Sequence, residues 1–269
     1  MCLLLIAIDA VPGAPLLLLG NRDEYHARPS APAAPWPEDA RVAGGRDRVG
    51  GGAWLAVRSN GRFAAVTNLR SGIPAGAPRS RGALVRDFVL DDAAPAAFLR
   101  RLAGTVAEYG PFNLVLGNAD VAFAFGSSDG QARALERGVH VVSNGPLYVH
   151  WPKTRRLEEG FAGARTGIDP ATGAPDRDSG TRWLDLLLDE TQPADESLPD
   201  TGVGSELERR LAPVFIRGER YGTRASTLAL RSADGSWRLR ERRFGPGGRA
   251  AGETFLEAAA DDAFTSARA

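Results

Sequence analysis

The sequence predicts an α+β or layered protein, and three observations carry that expectation. Short apolar runs bounded by turn-forming residues stand at the start, the middle and the end of the chain. Stretches with helical spacing are grouped between them. The chain has 269 residues, 43% hydrophobic and 25% charged, enough to bury a sizeable core.

Residues 3–8 and 16–19 are continuous apolar runs separated by Asp9-Ala10-Val11-Pro12-Gly13-Ala14-Pro15. Proline and glycine break any helix there, so two strands joined by a turn are expected. Unbroken apolarity means both faces are covered, as in the middle of a layered protein. A second hairpin runs through residues 52–58 and 63–68, with Asn60-Gly61 at its turn. The stretch 31–47 is rich in proline and glycine and reads as a surface excursion. Helices are expected over 83–90 and 95–106, strands over 112–116, 121–125 and 139–142, then helices over 155–162 and 181–188. Residues 169–180 read as another surface excursion. A late hairpin spans 224–230 and 237–244, with a last strand over 252–256. There is no internal repeat.

Composition excludes several classes of function. Lys+Arg and Asp+Glu are both 33, and without a basic stripe the chain is not expected to bind nucleic acid. Lys153 is its single lysine. Cys2 is the single cysteine, so there is neither an intramolecular disulfide nor a cysteine-cluster zinc site, and a reducing cytoplasm is the expected location. No apolar run approaches the roughly 18 residues of a transmembrane helix. The opening residues lack the basic start and cleavage site of a signal peptide.

A cysteine at position two has special chemistry. Once the initiator methionine is removed, its α-amine titrates near ~8 and can take the proton of its own thiol, making nucleophile and base one residue. As a buried residue of a core strand it would be only a small hydrophobe. If the first hairpin turns near Pro12 and Gly13, antiparallel partners sum to about 25, which sets Cys2 opposite Arg22, Asp23 and Glu24. An arginine favours the thiolate and an aspartate orients an ammonium. Arg22 and Asp23 are adjacent, so in an extended strand they point to opposite faces unless a bulge intervenes.

Taken together, Met1-Cys2, Asn21-Arg22-Asp23-Glu24, Arg28-Pro29, Gly51-Gly52-Ala53-Trp54-Leu55, Thr67-Asn68, Ser143-Asn144-Gly145 and Tyr221-Gly222-Thr223-Arg224 resemble the NRDE family, also called the Transport and Golgi organisation protein 2 family. The motifs run from residue 1 to the late hairpin, which implies one domain over residues 1–269. That family is similar to N-terminal nucleophile (Ntn) hydrolases of the choloylglycine hydrolase and penicillin V acylase type. The resemblance implies a four-layer αββα sandwich of two antiparallel sheets flanked by helices. It also implies roles: Cys2 as nucleophile, Arg22 beside it, Asp23 orienting the α-amino group, Asn144 in the oxyanion hole and Arg224 as a buttress. Asn21, Glu24, Trp54 and Asn68 are the candidate substrate-binding residues. In those hydrolases a spacer separates the arginine from the aspartate, whereas here the two are adjacent.

The implied chemistry is acyl transfer from an amide or thioester, with no cofactor required. Members of the family are also linked to haem trafficking and to acyl-CoA and lipid metabolism. The competing expectation is therefore a carrier that holds haem or an acyl lipid in the same pocket without turnover. His26, His140 and His150 lack metal-ligand spacing. Gly50-Gly51-Gly52 precedes a strand and reads as a close approach before Trp54, not as a phosphate cradle. Arg79, Arg81 and Arg86 read as a solvated helix face; the alternative is contact with an anionic substrate tail such as the phosphates of coenzyme A.

Overall fold

The opening ribbon pairs β1 (Cys2–Val11) with β2 (Ala14–Tyr25). In this computed structural model, which describes residues 2–70, 76–164, 166–169 and 174–267, Cys2 stands opposite Arg22 and Leu3 opposite Asn21. The turn at Pro12-Gly13 is made by a glycine at φ 72°, a left-handed conformation that costs glycine little. β3 (Ser30–Pro35), β4 (Val42–Asp47), β5 (Leu55–Arg58) and β6 (Phe63–Asn68) follow, then α1 (Arg81–Leu90) and α2 (Pro95–Ala103). β7 (Phe112–Gly117), β8 (Ala122–Gly126), β9 (Gln131–Ala134) and β10 (Gly138–Val142) come next. After α3 (Pro152–Gly163), α4 (Arg177–Leu186) and α5 (Ser205–Arg210), the chain ends in β11 (Tyr221–Arg231), β12 (Trp237–Phe244), β13 (Ala250–Ala258) and β14 (Thr265–Ser266).

The strands make two antiparallel sheets of seven. Their orders are β10-β1-β2-β11-β12-β13-β14 and β3-β4-β5-β6-β7-β8-β9. Three apolar cores show how they stack. Leu4, Ile6, Leu16 and Leu18 of the first sheet meet Val57, Phe63, Ala65 and Val115 of the second. The other faces of β1 and β2, through Leu3, Leu5, Leu17 and Leu19, pack on Leu157 and Phe161 of α3 and Trp183 and Leu184 of α4. Beyond the second sheet, Leu84, Val85 and Phe88 of α1 and Phe98 and Leu99 of α2 cover Ala56, Ala64 and Leu114. The order of layers is therefore helix, sheet, sheet, helix, the αββα arrangement expected from the sequence. It explains why β1 and β2 are apolar at every position of their middles: each full burial of a leucine contributes about 2 kcal/mol, and these strands bury leucines on both faces.

Two expectations need correction. Residues 31–47 are not a surface excursion, because they hold most of β3 and all of β4. The prolines of β3 sit on the outermost strand of the sheet, where a missing N–H costs least. Gly44 and Gly45 of β4 admit the Leu55 carbonyl and the Trp54 ring, which a Cβ would meet at 2.5 and 2.0 Å. Within 169–180, residues 170–173 lie outside the described residues, and α4 already begins at Arg177 with Asp176 as its cap. The short β9 and α5 carry no apolar pattern that announces them.

Gly52 fixes how β5 and α1 meet. A Cβ there would stand 2.1 Å from the Gly82 carbonyl carbon and 2.6 Å from the Ala83 nitrogen. Both are backbone atoms of the first turn of α1 and cannot swing aside. Gly52→Ala is expected to lower stability by on the order of 3 kcal/mol. A thermal melt should show a midpoint about 6–12 °C lower; an unchanged midpoint contradicts this packing.

Candidate active site

The first residues of β1, the last of β2, the first of β11 and the last of β6 lie at one end of the sandwich, beside the loop after β10. Cys2 is the Cα partner of Arg22. Arg22 is buried, and its guanidinium lies 4.7 Å above the Trp54 ring. That places Arg22 on the face between the sheets, where it also acts electrostatically on Glu241 and Arg224.

Asp23 points the other way, toward the helices. It accepts a 2.7 Å hydrogen bond from Thr223 Oγ1. Burial pushes its carboxyl above the usual value, while Lys153, the Thr223 hydroxyl and Arg70 draw it back down. Adjacent residues thus serve opposite faces, as extended geometry dictates. A bulge is present, but in β11, where Arg224 is the extra residue between the pairs Thr223–Asp23 and Ala225–Arg22. Arg224 Nη1 donates to the carbonyls of Tyr25 and Arg28 and so ties the chain beyond β2 to β11.

Asn144 is fully buried after β10. Its Nδ2 donates to the Asn68 carbonyl at 2.8 Å, and its Oδ1 accepts from Lys153 Nζ at 3.3 Å. The loop that carries it is pinned by the second sheet. Thr67 Oγ1 donates to the Ser143 carbonyl at 2.6 Å, and Asn113 Nδ2 to the carbonyls of Ser143 and Gly145 at 3.1 and 2.8 Å. The Arg70 N–H donates to the Asn144 carbonyl at 2.7 Å. Gly145 lets the Trp151 ring close in, since a Cβ would meet it at 2.9 Å.

The four candidate substrate-binding residues separate. Asn68 and Glu24 line a cleft of about 720 Å³ that also touches Arg70, Tyr221, Arg210 and Arg220. Tyr221 of this wall donates its hydroxyl to the Asp23 carbonyl at 3.1 Å. Trp54 lies under Arg22. Asn21 faces the helix layer: its Nδ2 donates to the carbonyls of Leu187 and Val214, and its Oδ1 accepts from Ser226. These bonds make it a clasp between sheet and helices.

Sequence reasoning missed Lys153, Arg70, Glu208, Thr223 and Asn113 as members of this neighbourhood. Lys153 had a signal, being the single lysine of the chain. Arg79, ahead of α1, and Arg86, midway along it, pair with Asp87, Arg79 also with Glu108, while Arg81 at its first position lines the cleft. His26 and His140 bond the carbonyls of Gly218 and Glu136, and burial lowers the pKa of His26. Among the described residues no three of His, Cys, Asp and Glu gather as metal ligands, and no histidine lines the cleft. No helix among them is long and apolar enough to cross a membrane.

A four-layer αββα protein whose first strand pairs Cys2 with a buried arginine that is followed by a buried aspartate is the class that fold and site define. The chain belongs to the Transport and Golgi organisation 2 family, which it matches over residues 1–246. It is 29% identical to the human Transport and Golgi organization protein 2 homolog over 259 residues, covering 90% of this chain and 92% of that protein. The Bos taurus homolog is 30% identical over 264 residues with the same coverage. Against the Drosophila melanogaster Transport and Golgi organization protein 2 the identity is 31% over 163 residues, 54% of this chain and 52% of the other. Among solved structures it aligns with a mutant conjugated bile acid hydrolase from Clostridium perfringens at a TM-score of 0.46 and 10% identity, covering 100% of this chain and 97% of that one.

Proposed function

We propose that this protein transfers acyl groups through Cys2, cleaving an amide or thioester. The observation that carries this reading is the pairing of Cys2 with Arg22 immediately beside the buried Asp23, at the end of the sandwich where Asn144 converges. After removal of Met1, the α-amine of Cys2 takes the Sγ proton. The thiolate, favoured by the Arg22 cation, attacks the substrate carbonyl carbon and forms a C–S bond. As the tetrahedral intermediate collapses, the C–N or C–S bond of the substrate breaks and the leaving group takes the proton from the α-ammonium. Water then attacks the acyl-enzyme and releases the acid, returning the proton to sulfur. Asp23 holds and orients the ammonium. Asn144 has a second Nδ2 hydrogen beyond the one given to Asn68, and donating it to the oxyanion contributes about 3 kcal/mol to lowering the barrier.

The test is intact mass spectrometry of the purified protein before and after incubation with a panel of acyl amides and acyl thioesters. The expected result is a chain lacking Met1 that gains the mass of the acyl group, mapped by peptide analysis to Cys2. A chain that keeps Met1 and gains no adduct overturns the reading. If such a chain retains haem or an acyl lipid non-covalently, carriage replaces it.

A further inference from the structure

We propose that Lys153 is a positioning residue of this site: from the opening turn of α3 its ammonium fixes the side-chain amide of Asn144 and sets a constant positive charge near the buried Asp23. The inference rests on the acyl-transfer reading for its purpose, but its central measurement does not depend on turnover.

Lysine is almost never fully buried unless its charge is answered. Lys153 is 3% exposed. Its Nζ donates to Asn144 Oδ1 and to the Leu211 carbonyl, both at 3.3 Å. A primary amide left free can turn over and exchange donor for acceptor. An ammonium has only donors, so it can face the amide oxygen and not the NH₂. Lys153 therefore imposes one orientation, with Nδ2 directed to the Asn68 carbonyl. A threonine or glutamine at this position could satisfy either orientation; a lysine cannot.

Its second action is electrostatic. Asp23 accepts a hydrogen bond from Thr223 of β11, and Lys153 of α3 and Arg70 after β6 act on it as cations. Burial disfavours its ionised form, and each of these groups opposes burial. Arg70 is shared with Glu208, with which it pairs. In the acyl-transfer reading the α-amine of Cys2 gives up and regains a proton in each cycle. Lys153 is therefore a constant cation near Asp23 that favours its ionised form while the amine is neutral.

The experiment titrates the Asp23 carboxyl carbon by ¹³C NMR, assigned with Asp23→Asn, in the wild type, Lys153→Met and Lys153→Arg. The wild-type midpoint is expected above the ordinary carboxylate value. Lys153→Met should raise it by about one unit or more, a tenfold gain in proton affinity, and Lys153→Arg should restore it. The acid limb of the acyl-transfer rate should move to higher pH by the same amount, which a merely structural loss would not produce. If Lys153→Met does not fold, Lys153→Gln keeps a donor for Asn144 while removing the charge and the restriction to donors. Equal midpoints in the wild type and a folded neutral variant overturn the proposal, as does a wild-type Asp23 still protonated at about pH 8. A wild type that transfers no acyl group defeats the functional reading alone, since the midpoints still decide what Lys153 does.

Discussion

Cys2→Ala is expected to give a folded protein that forms no acyl adduct, and Asp23→Asn one whose adduct forms on the order of 1000-fold more slowly. The first removes the sulfur that the new bond needs. The second is the more searching change, because asparagine is nearly isosteric. Its amide oxygen can still accept from Thr223 Oγ1, whose bond to Asp23 is 2.7 Å, yet a neutral amide cannot hold an ammonium in place through the proton transfers. The two variants differ in their effect on stability. Burial raises the Asp23 pKa above its unfolded value, so in the folded state the proton is held more tightly than in the unfolded chain. That contribution is fully present below the ordinary value near ~4 and is lost as pH rises through the raised folded value. Asparagine has no such loss. The melting temperature of Asp23→Asn relative to wild type should therefore rise as pH climbs above about 4 while its acyl transfer stays low. A relative melting temperature that falls over that interval would mean Asp23 is stabilised as a carboxylate beyond its unfolded self. A functional carboxylate kept where it costs stability is the usual compromise at an active site.

The ribbon that carries Cys2, Arg22 and Asp23 was legible in the sequence because both of its determinants are local. Pro12-Gly13 sets the turn, and a turn sets the register; a sum of about 25 becomes the observed Cys2–Arg22 and Leu3–Asn21 pairs. The layering was legible for the same reason, since unbroken apolar strands demand cover on both sides. β3 and β4 were hidden because their residues are small or proline. What makes them strands is the close fit of Gly44 and Gly45 against Leu55 and Trp54, which no local pattern records. At the site, the motif residues Arg22, Asp23 and Asn144 stand out by their position after apolar strands. Their supports do not. Asn113 lies in β7 and Lys153 in α3, and each reaches the loop of Asn144 only through tertiary folding. Asn21 shows the converse: it belongs to the same polar run as Arg22 and Asp23, but the strand turns it into the helix layer, where its bonds to Leu187 and Val214 are structural. A contiguous motif can therefore mix chemistry with architecture, and only the alternation of the strand separates them.

The largest stability effect is expected from Glu208→Ala. α5 is six residues long, too short to persist by its own propensity, and Glu208 is the side chain that anchors it. The Glu208 carboxylate accepts the Thr201 N–H at 2.9 Å and the Thr201 hydroxyl at 2.5 Å, and it pairs with the Arg70 guanidinium. Both ends of that ion pair are buried, at 4% and 3% side-chain exposure. Arg70 is held besides by the Trp151 ring, 4.9 Å below its guanidinium. Burial lowers the pKa of Arg70, and Glu208 is the foremost group opposing that. Alanine at 208 would leave a desolvated cation facing a void, a loss of about 3–5 kcal/mol, which lowers the melting temperature by roughly 6–20 °C at this chain length. Replacing both partners, Arg70→Met with Glu208→Leu, removes the uncompensated charge and should recover much of that loss. Since the Arg70 N–H supports the Asn144 carbonyl and the Leu211 carbonyl accepts from Lys153, hydrogen exchange in Glu208→Ala should quicken through residues 201–211 and at the loop of Asn144 together. Faster exchange confined to α5 would separate the helix from the site and break that link.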